Sequence, residues 1–270
     1  MNKFSFQDKV VAITGASSGI GKELAVRLAE QGAWLALGAR NLEKQEETAA
    51  LCRQKGGKAL ALQLDVAQKE SCRNFIEKTV AEYGRIDVLV NNAGISMWAY
   101  FEEFTDVTPF EEIMKVNYFG SLYCTFYALP YLKKTKGRLV GVSSLTGKTG
   151  VPTRSGYAAS KHAMAGFFDT LRIELKDTGV SVTMIYPGFV ATEVRKRAFG
   201  ADGKSLDESP LDESTTMTVE KCVSLMIPAI AKRKREVVMT TKAKIGLWLK
   251  LLAPGLVDKI ALKAVSKGKK

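Results

Sequence analysis

Seven short apolar runs punctuate the first 240 residues: KVVAITGA (9–16), AWLALGAR (33–40), KALALQLDV (58–66), DVLVNNAG (87–94), GRLVGVSS (137–144), SVTMIYPG (181–188) and REVVMT (235–240). They are rich in Val, Leu and Ile and lack clean polar–apolar alternation, the pattern of strands covered on both faces in a parallel sheet. Helical periodicity fills the gaps between them. Residues 21–31 place Leu24, Ala25 and Leu28 on one face before Gly32 stops the turn, and residues 110–134 and 155–178 read as two long helices. Alternating strands and helices predict an α/β protein built on a single doubly wound parallel sheet of about seven strands, flanked by helices and joined by right-handed crossovers. No repeat, low-complexity segment or linker interrupts this order. Residues 1–240 are therefore expected to form one domain, with 241–270 as an appended tail. Residues 189–217, rich in charge, Gly and Ser, are long for an irregular segment of a compact domain and are expected to form a lid.

Composition narrows the picture by exclusion. With 270 residues, 46% hydrophobic and 25% charged, the chain can bury a large core and needs no metal or disulfide staple. Cys52, Cys72, Cys124 and Cys222 form no C-x-x-C pair, and His162 is the single histidine. No metal site is expected, and the cysteines are expected to be reduced packing residues of a cytoplasmic protein. The N-terminus has no apolar signal core, and no apolar stretch reaches the roughly 20 residues of a membrane span. The net charge of +12 raises the question of nucleic acid. Yet residues 242–270 hold eight lysines against Asp258 alone, so most of the excess belongs to the tail and no nucleic-acid partner is expected. Lys232-Arg233-Lys234-Arg235 reads as a charge cluster at a helix C-terminus.

The first run leads into Thr14-Gly15-Ala16-Ser17-Ser18-Gly19-Ile20-Gly21 and then a helical pattern. Glycines at this place let a backbone approach a pyrophosphate, and the helix start beyond supplies free N–H groups and a positive dipole end. The spacing is G-x-x-x-G-x-G, not the more familiar G-x-G-x-x-G. A strand before and a helix after favour a nucleotide site over a plain tight turn. The second strand ends in Gly38-Ala39-Arg40, with no acid until Glu43. An acid there would bind a ribose diol, whereas Arg40 offers a planar guanidinium to a 2′-phosphate, so NADP(H) is expected over NAD(H). The plainer alternative is a solvated Arg40 at a strand end.

The chain resembles the short-chain dehydrogenase/reductases, hydroxysteroid dehydrogenase-like members included. The resemblance rests on Thr14 to Gly21, Asp65-Val66, Asn91-Asn92-Ala93-Gly94, Asn117, Ser143-Ser144, Tyr157-x-x-x-Lys161, and Pro187-Gly188 with Thr192, in that order over about residues 7–240. It implies a Rossmann-like catalytic domain and an oxidoreductase that transfers hydride between a nicotinamide and a carbonyl or alcohol. It also implies site residues. Tyr157 would act as general acid in reduction and base in oxidation, and Lys161 would lower its pKa and bind the nicotinamide ribose. Ser144 would hydrogen-bond the substrate oxygen, and Asn117 would hold a water relaying protons to Lys161. Gly15, Ser17, Ser18, Gly19, Ile20 and Gly21 would cradle the phosphates. Asp65 and Val66 would meet the adenine, and Asn92, Ala93 and Gly94 would lay backbone against the cofactor while Asn91 braced the sheet. Pro187, Gly188, Val190 and Thr192 would line the nicotinamide. Ser144 is preferred to Ser143 because thirteen residues separate it from Tyr157, the family's usual spacing. Members often form dimers or tetramers through two long helices, so a homo-oligomer is expected.

The residues themselves support the central pair. Of eight tyrosines only Tyr157 has a lysine four positions on, and in a helix such residues share a face. A free phenol titrates near about 10, and bringing it to neutrality needs roughly 4 kcal/mol. One cation about 4 Å away at an effective dielectric near 20 supplies an effect of that order. His162, about 100° further round the helix, is not expected to take part.

The substrate is expected to be a hydrophobic ketone, aldehyde or alcohol of steroid, retinoid or lipid type. Trp98, Tyr100 and Phe101 in 95–104, with Phe189, would wall the pocket, unless these rings are packing residues. In the tail, Ile245, Trp248, Leu249, Leu252, Leu256, Ile260 and Val265 can form an apolar face flanked by lysines. Such a face suits a membrane interface, an oligomer contact or a cover on the active-site mouth. The competing function is a nucleotide-sensing regulatory protein on the same fold, which would keep the glycine turn and usually lose the acid–base pair.

Overall fold

The computed structural model describes residues 4–208 and 216–266. Seven parallel strands form one sheet: β1 (Val10–Thr14), β2 (Trp34–Ala39), β3 (Lys58–Gln63), β4 (Val88–Asn91), β5 (Arg138–Val142), β6 (Ser181–Tyr186) and β7 (Glu236–Val238). Their order is β3-β2-β1-β4-β5-β6-β7. Every one of the seven apolar runs contributes a strand. Helices α1 (Gly19–Ala29), α2 (Leu42–Gln54) and α3 (Lys69–Tyr83) follow the first three strands. Residues 108–135 form α4 (Thr108–Met114), a π-helical turn (Lys115–Phe119) and α5 (Gly120–Thr135). Helices α6 (Ser155–Glu174) and α7 (Val219–Ala231) flank the far half, and α8 (Thr241–Leu252) and α9 (Pro254–Ser266) form the tail.

Alternate residues of one strand serve opposite cores, which is why the runs lack polar positions. Val11 and Ile13 pack with Leu24, Leu28, Cys52 and Ile230 on the face of α1, α2 and α7. Ala12 faces the other side, with Phe75, Leu132, Phe168 and Met184 among α3, α5 and α6. Local chemistry sets the helix ends: the Asn41 side chain accepts from Lys44 N at 2.9 Å to start α2, and Gly84 at φ +72° stops α3.

The expected helix over 110–134 is not regular. Its backbone widens by one residue per turn at 115–119, a distortion often found at functional positions. The expected helix over 155–178 ends as α6 at Glu174, with a short 3₁₀ turn over Lys176–Thr178. The basic cluster after α7 clasps the sheet: Arg233 Nη1 donates to Gly137 O (3.0 Å) and Gly179 O (2.9 Å).

The strand order reverses direction between β1 and β4, which are paired neighbours although β2 and β3 intervene in sequence. At such a switch point the connections leave on opposite faces and open a crevice beyond the strands' C-terminal ends. The glycine turn follows β1, Asn92 to Gly94 follow β4, Ser143-Ser144 follow β5, and Pro187-Gly188 follow β6. Four separate motifs therefore converge on one edge.

Candidate active site

That edge holds a cleft of about 1020 Å³, at the upper end of the ~300–1,000 Å³ usual for one drug-sized ligand. It is lined by Gly15, Ser17, Ser18, Gly19, Ile20, Arg40, Asp65, Val66, Asn92, Ala93, Gly94, Ser144, Tyr157, Lys161, Pro187, Gly188, Val190 and Thr192. Two of the residues singled out from sequence, Gly21 and Asn117, stand behind this wall.

The glycine turn is shaped by contact with the end of β4. Gly15 has φ +67°, and a Cβ on it would sit 2.8 Å from Ala93 Cα. A Cβ on Gly21 would lie 2.3 Å from Gly15 O and 2.6 Å from Asn92 Nδ2. Asn92 Nδ2 donates to Thr14 O and Gly15 O, each at 3.0 Å, and Thr14 Oγ1 accepts from Asn92 N and Ala93 N, also at 3.0 Å. These bonds hold the turn open toward the cleft. Asn91 Nδ2 donates to Thr125 Oγ1 (3.1 Å), tying β4 to α5. The donors of this cradle, a helix start, two serine side chains and Arg40 beyond β2, fit the phosphates of a dinucleotide.

At the other end, α6 presents a stripe. Arg154 caps its start, Tyr157 is one turn on and Lys161 one turn further, so two cations flank the phenol along one face. The Arg154 guanidinium lies 5.6 Å from the Tyr157 ring centre and the Lys161 amine 5.8 Å from it. Lys161 Nζ donates to Val142 O at 3.0 Å. Burial lowers the amine from 10.5 to about 8. The Tyr157 phenol is pushed above its ordinary 10.0 by burial, opposed by the Arg154 charge and by a hydrogen bond from Ser144. The Arg154 guanidinium thus favours the phenolate, an effect that the sequence led us to expect of Lys161 alone.

Both serines line the cleft, but their hydroxyls differ: Ser143 Oγ is spent on Lys161 O (3.2 Å), while Ser144 hydrogen-bonds Tyr157. The Asn117 side chain is fully buried and fully engaged: Oδ1 accepts from Ile95 N (2.9 Å), and Nδ2 donates to Ile95 O (3.0 Å) and Ser160 Oγ (2.9 Å). It braces α6 against the chain after β4. Any water held by Asn117 must use its main-chain carbonyl, which also accepts from Ser121 Oγ at 2.8 Å. His162 turns away, with Nδ1 2.9 Å from Ala158 O. The four cysteines are buried and free.

The pocket walls differ from expectation. Ile95 and Ser96 line the cleft, but Tyr100 and Phe101 do not. Phe101 packs edge-on against Phe110 at 5.6 Å, because the chain turns outward there into a short 3₁₀ turn. Trp98 stands one layer back, 4.3 Å from the Arg154 guanidinium. The segment over 189–208, expected as a lid, is pinned to the same stretch: Phe199 N donates to Ser96 O (2.9 Å) and Trp98 N to Phe199 O (2.8 Å). Part of the expected lid, 209–215, lies outside the described residues. Val151, Arg154 and Arg195 also line the cleft and escaped the sequence reading. For Arg154 a signal existed, since it sits three residues before Tyr157 on the same helix face.

A nucleotide cradle at a switch point, facing a Tyr–Lys–Ser group across one cleft, defines a nicotinamide-dependent oxidoreductase. The short chain dehydrogenase family model matches residues 9–202, and the chain belongs to that family. It is 38% identical over 253 residues to the 11-beta-hydroxysteroid dehydrogenase-like 4A of Arabidopsis thaliana, covering 92% of this chain and 82% of that one. It is 33% identical over 268 residues to a dehydrogenase/reductase SDR family protein 7-like of Dictyostelium discoideum, covering 97% and 83%. Among solved structures, an alcohol dehydrogenase of the archaeon Thermococcus sibiricus complexed with 5-hydroxy-NADP superposes with a TM-score of 0.72 at 28% identity, covering 86% of this chain and 95% of that one. A short chain dehydrogenase/reductase of Burkholderia phymatum in complex with NAD shares the fold at a TM-score of 0.83 and 22% identity, covering 94% and 96%. The protein is an NAD(P)-dependent oxidoreductase.

Proposed function

We propose that the protein interconverts a hydrophobic ketone or aldehyde and its alcohol with NADP(H). The observation that carries this reading is the convergence of Ser144, Tyr157 and Lys161 at the end of a cleft whose far end is the glycine cradle. When bound, the reduced nicotinamide supplies the hydride that reaches the carbonyl carbon. Ser144 and the Tyr157 hydroxyl hold the carbonyl oxygen, and Tyr157 gives it a proton as negative charge develops. Lys161 steadies the phenolate and takes the ribose hydroxyls, and the Asn117 carbonyl holds the water that returns a proton. Asp65 and Val66 receive the adenine. Preference for NADP(H) rests on Arg40 and Lys44, which line the cleft beyond β2 where no acid faces it except Asp65 after β3.

Aromatic and aliphatic side chains on the paired long helices, Phe119, Phe126 and Ile173, are exposed. They support a homo-oligomer closed across α4–α5 and α6. The tail supports peripheral attachment to an anionic bilayer. In α8, Ala243 and Leu247 pack on the core, while Ile245, Trp248 (72% exposed) and Leu252 (85%) face outward with Lys242 and Lys244 beside them. Val265, expected on that outer face, is buried. Among the described residues no helix is long and apolar enough to cross a membrane.

The test is a panel of hydrophobic ketones, aldehydes and alcohols followed at the NADPH absorbance, with NADH alongside. Turnover with NADPH preferred is expected. Cofactor binding with no turnover on the panel would favour a sensor instead.

A further inference from the structure

We propose that Arg154 is the anion anchor of the substrate site, and that the carbonyl substrate carries a carboxylate only a few bonds from its oxo group. This deepens the oxidoreductase reading and rests on it. Arg154 is 5% exposed and lines the cleft beside Tyr157. One guanidinium nitrogen is spent: Nη1 donates to Ser96 Oγ at 3.0 Å. The other two, Nε and Nη2, make no hydrogen bond among the described residues. Those two N–H groups lie on the same side of the guanidinium and point in parallel, the edge that matches the two oxygens of a carboxylate. Among the described residues no carboxylate pairs with Arg154 within ion-pair distance.

A buried cation without a counter-ion is costly, and its neighbours do not cancel it. Trp98, Phe189 and Tyr157 place ring centres 4.3, 5.6 and 5.6 Å from it, and their faces offset only part of the lost hydration. The charged neighbour that acts on it, Arg195, is itself cationic. The frame that presents the fork is fixed, since Ala99 N donates to Thr153 O (3.1 Å) and the Ser96 segment is tied to Phe199. The free edge is buried under the aromatic pair. Phe189, 41% exposed, is one of the rings over the guanidinium, and a ligand would reach the free edge by displacing it. The closeness of Arg154 to the Tyr157 ring sets the short spacing between anion and carbonyl, and the remaining apolar wall takes an alkyl or ring substituent.

The experiment compares 2-oxo and 4-oxo alkanoic acids with their methyl esters, using the full chain and NADPH, and reads the ratio of kcat/KM for acid over ester. The wild type is expected to favour the acids by about tenfold or more. R154M should bring the ratio close to one, a fall of about tenfold or more for a lost charge-assisted fork. R154K should keep a reduced preference, because an ammonium is a single point donor. A ratio cancels any general damage to turnover. As a second measurement, a saturated alkanoate should compete with a neutral ketone in the wild type far better than the matching alkanamide does. Ester turnover without acid preference, or a preference unchanged in R154M, would overturn the anchor while leaving the reductase reading intact. Silence of acids and neutral carbonyls alike would overturn both.

Discussion

Lys161 is expected to weaken the fold it serves. Burial lowers its amine from 10.5 to about 8, so the unfolded chain keeps a proton that the folded chain releases earlier. Between those values the unfolded state binds more protons, and stability rises with pH. The penalty is complete below about 8, is relieved as pH climbs, and has gone above about 10.5. At about 1.36 kcal/mol per pH unit, carrying the charged amine inside at neutral pH costs on the order of 3 kcal/mol. Lys161→Met keeps the chain length and drops the charge, while forfeiting the bond to Val142 O, worth about 1 kcal/mol. The cofactor-free variant should therefore gain about 2 kcal/mol at pH 7, raising Tm by roughly 4–8 °C for a chain of this size. Urea unfolding of both proteins at pH 7 and pH 10 checks this. Other titrating groups are common to both proteins and cancel in the difference. The advantage should shrink steeply at the higher pH while turnover is lost at both. A variant less stable than wild type at pH 7, or an advantage that ignores pH, would refute the reasoning.

Other outcomes follow from the cradle and the serines. Gly21→Ala places a Cβ 2.3 Å from Gly15 O, and this overpacking should cost about 1–3 kcal/mol despite the better helix former, with weaker NADPH binding by titration. Arg40→Asp should move preference from NADPH toward NADH, and an unchanged NADPH/NADH ratio in kcat/KM would remove the phosphate contact. Ser144→Ala should lower kcat/KM by about 10²–10³-fold at near-normal stability. Ser143→Ala, which removes an interior bond to Lys161 O, should chiefly lower the melting midpoint. Deleting 241–270 should abolish sedimentation with anionic vesicles and leave NADPH binding in place.

The sheet was legible because strands covered on both faces must be apolar throughout, and seven such runs have no other good home. The convergence of the four motifs was legible only as far as a parallel topology forces every strand's C-terminal end to one edge. What escaped was set by tertiary contact. The π turn around Asn117 answers to hydrogen bonds that its side chain accepts from Ile95 N and donates to Ile95 O and Ser160 Oγ, neither residue being near in sequence. The outward course of Tyr100 and Phe101 depends on Phe110, and their composition alone could not distinguish wall from packing. Arg154 was visible at helical spacing from Tyr157, but its isolation from every acid among the described residues is a property of the folded chain. The tail's periodicity predicted an apolar face; Ile245, Trp248, Leu252, Leu256 and Ile260 are exposed as expected, whereas Val265 is buried.

The central claim is that the phenol of residue 157 protonates the substrate oxygen in the cleft. Stopped-flow NADPH oxidation by Tyr157→Phe, on the best carbonyl found for the wild type, tests it most directly. Single-turnover oxidation slowed by at least ~10²-fold, with NADPH affinity unchanged by fluorescence titration, is the predicted result. Near-normal oxidation in the variant would contradict the account.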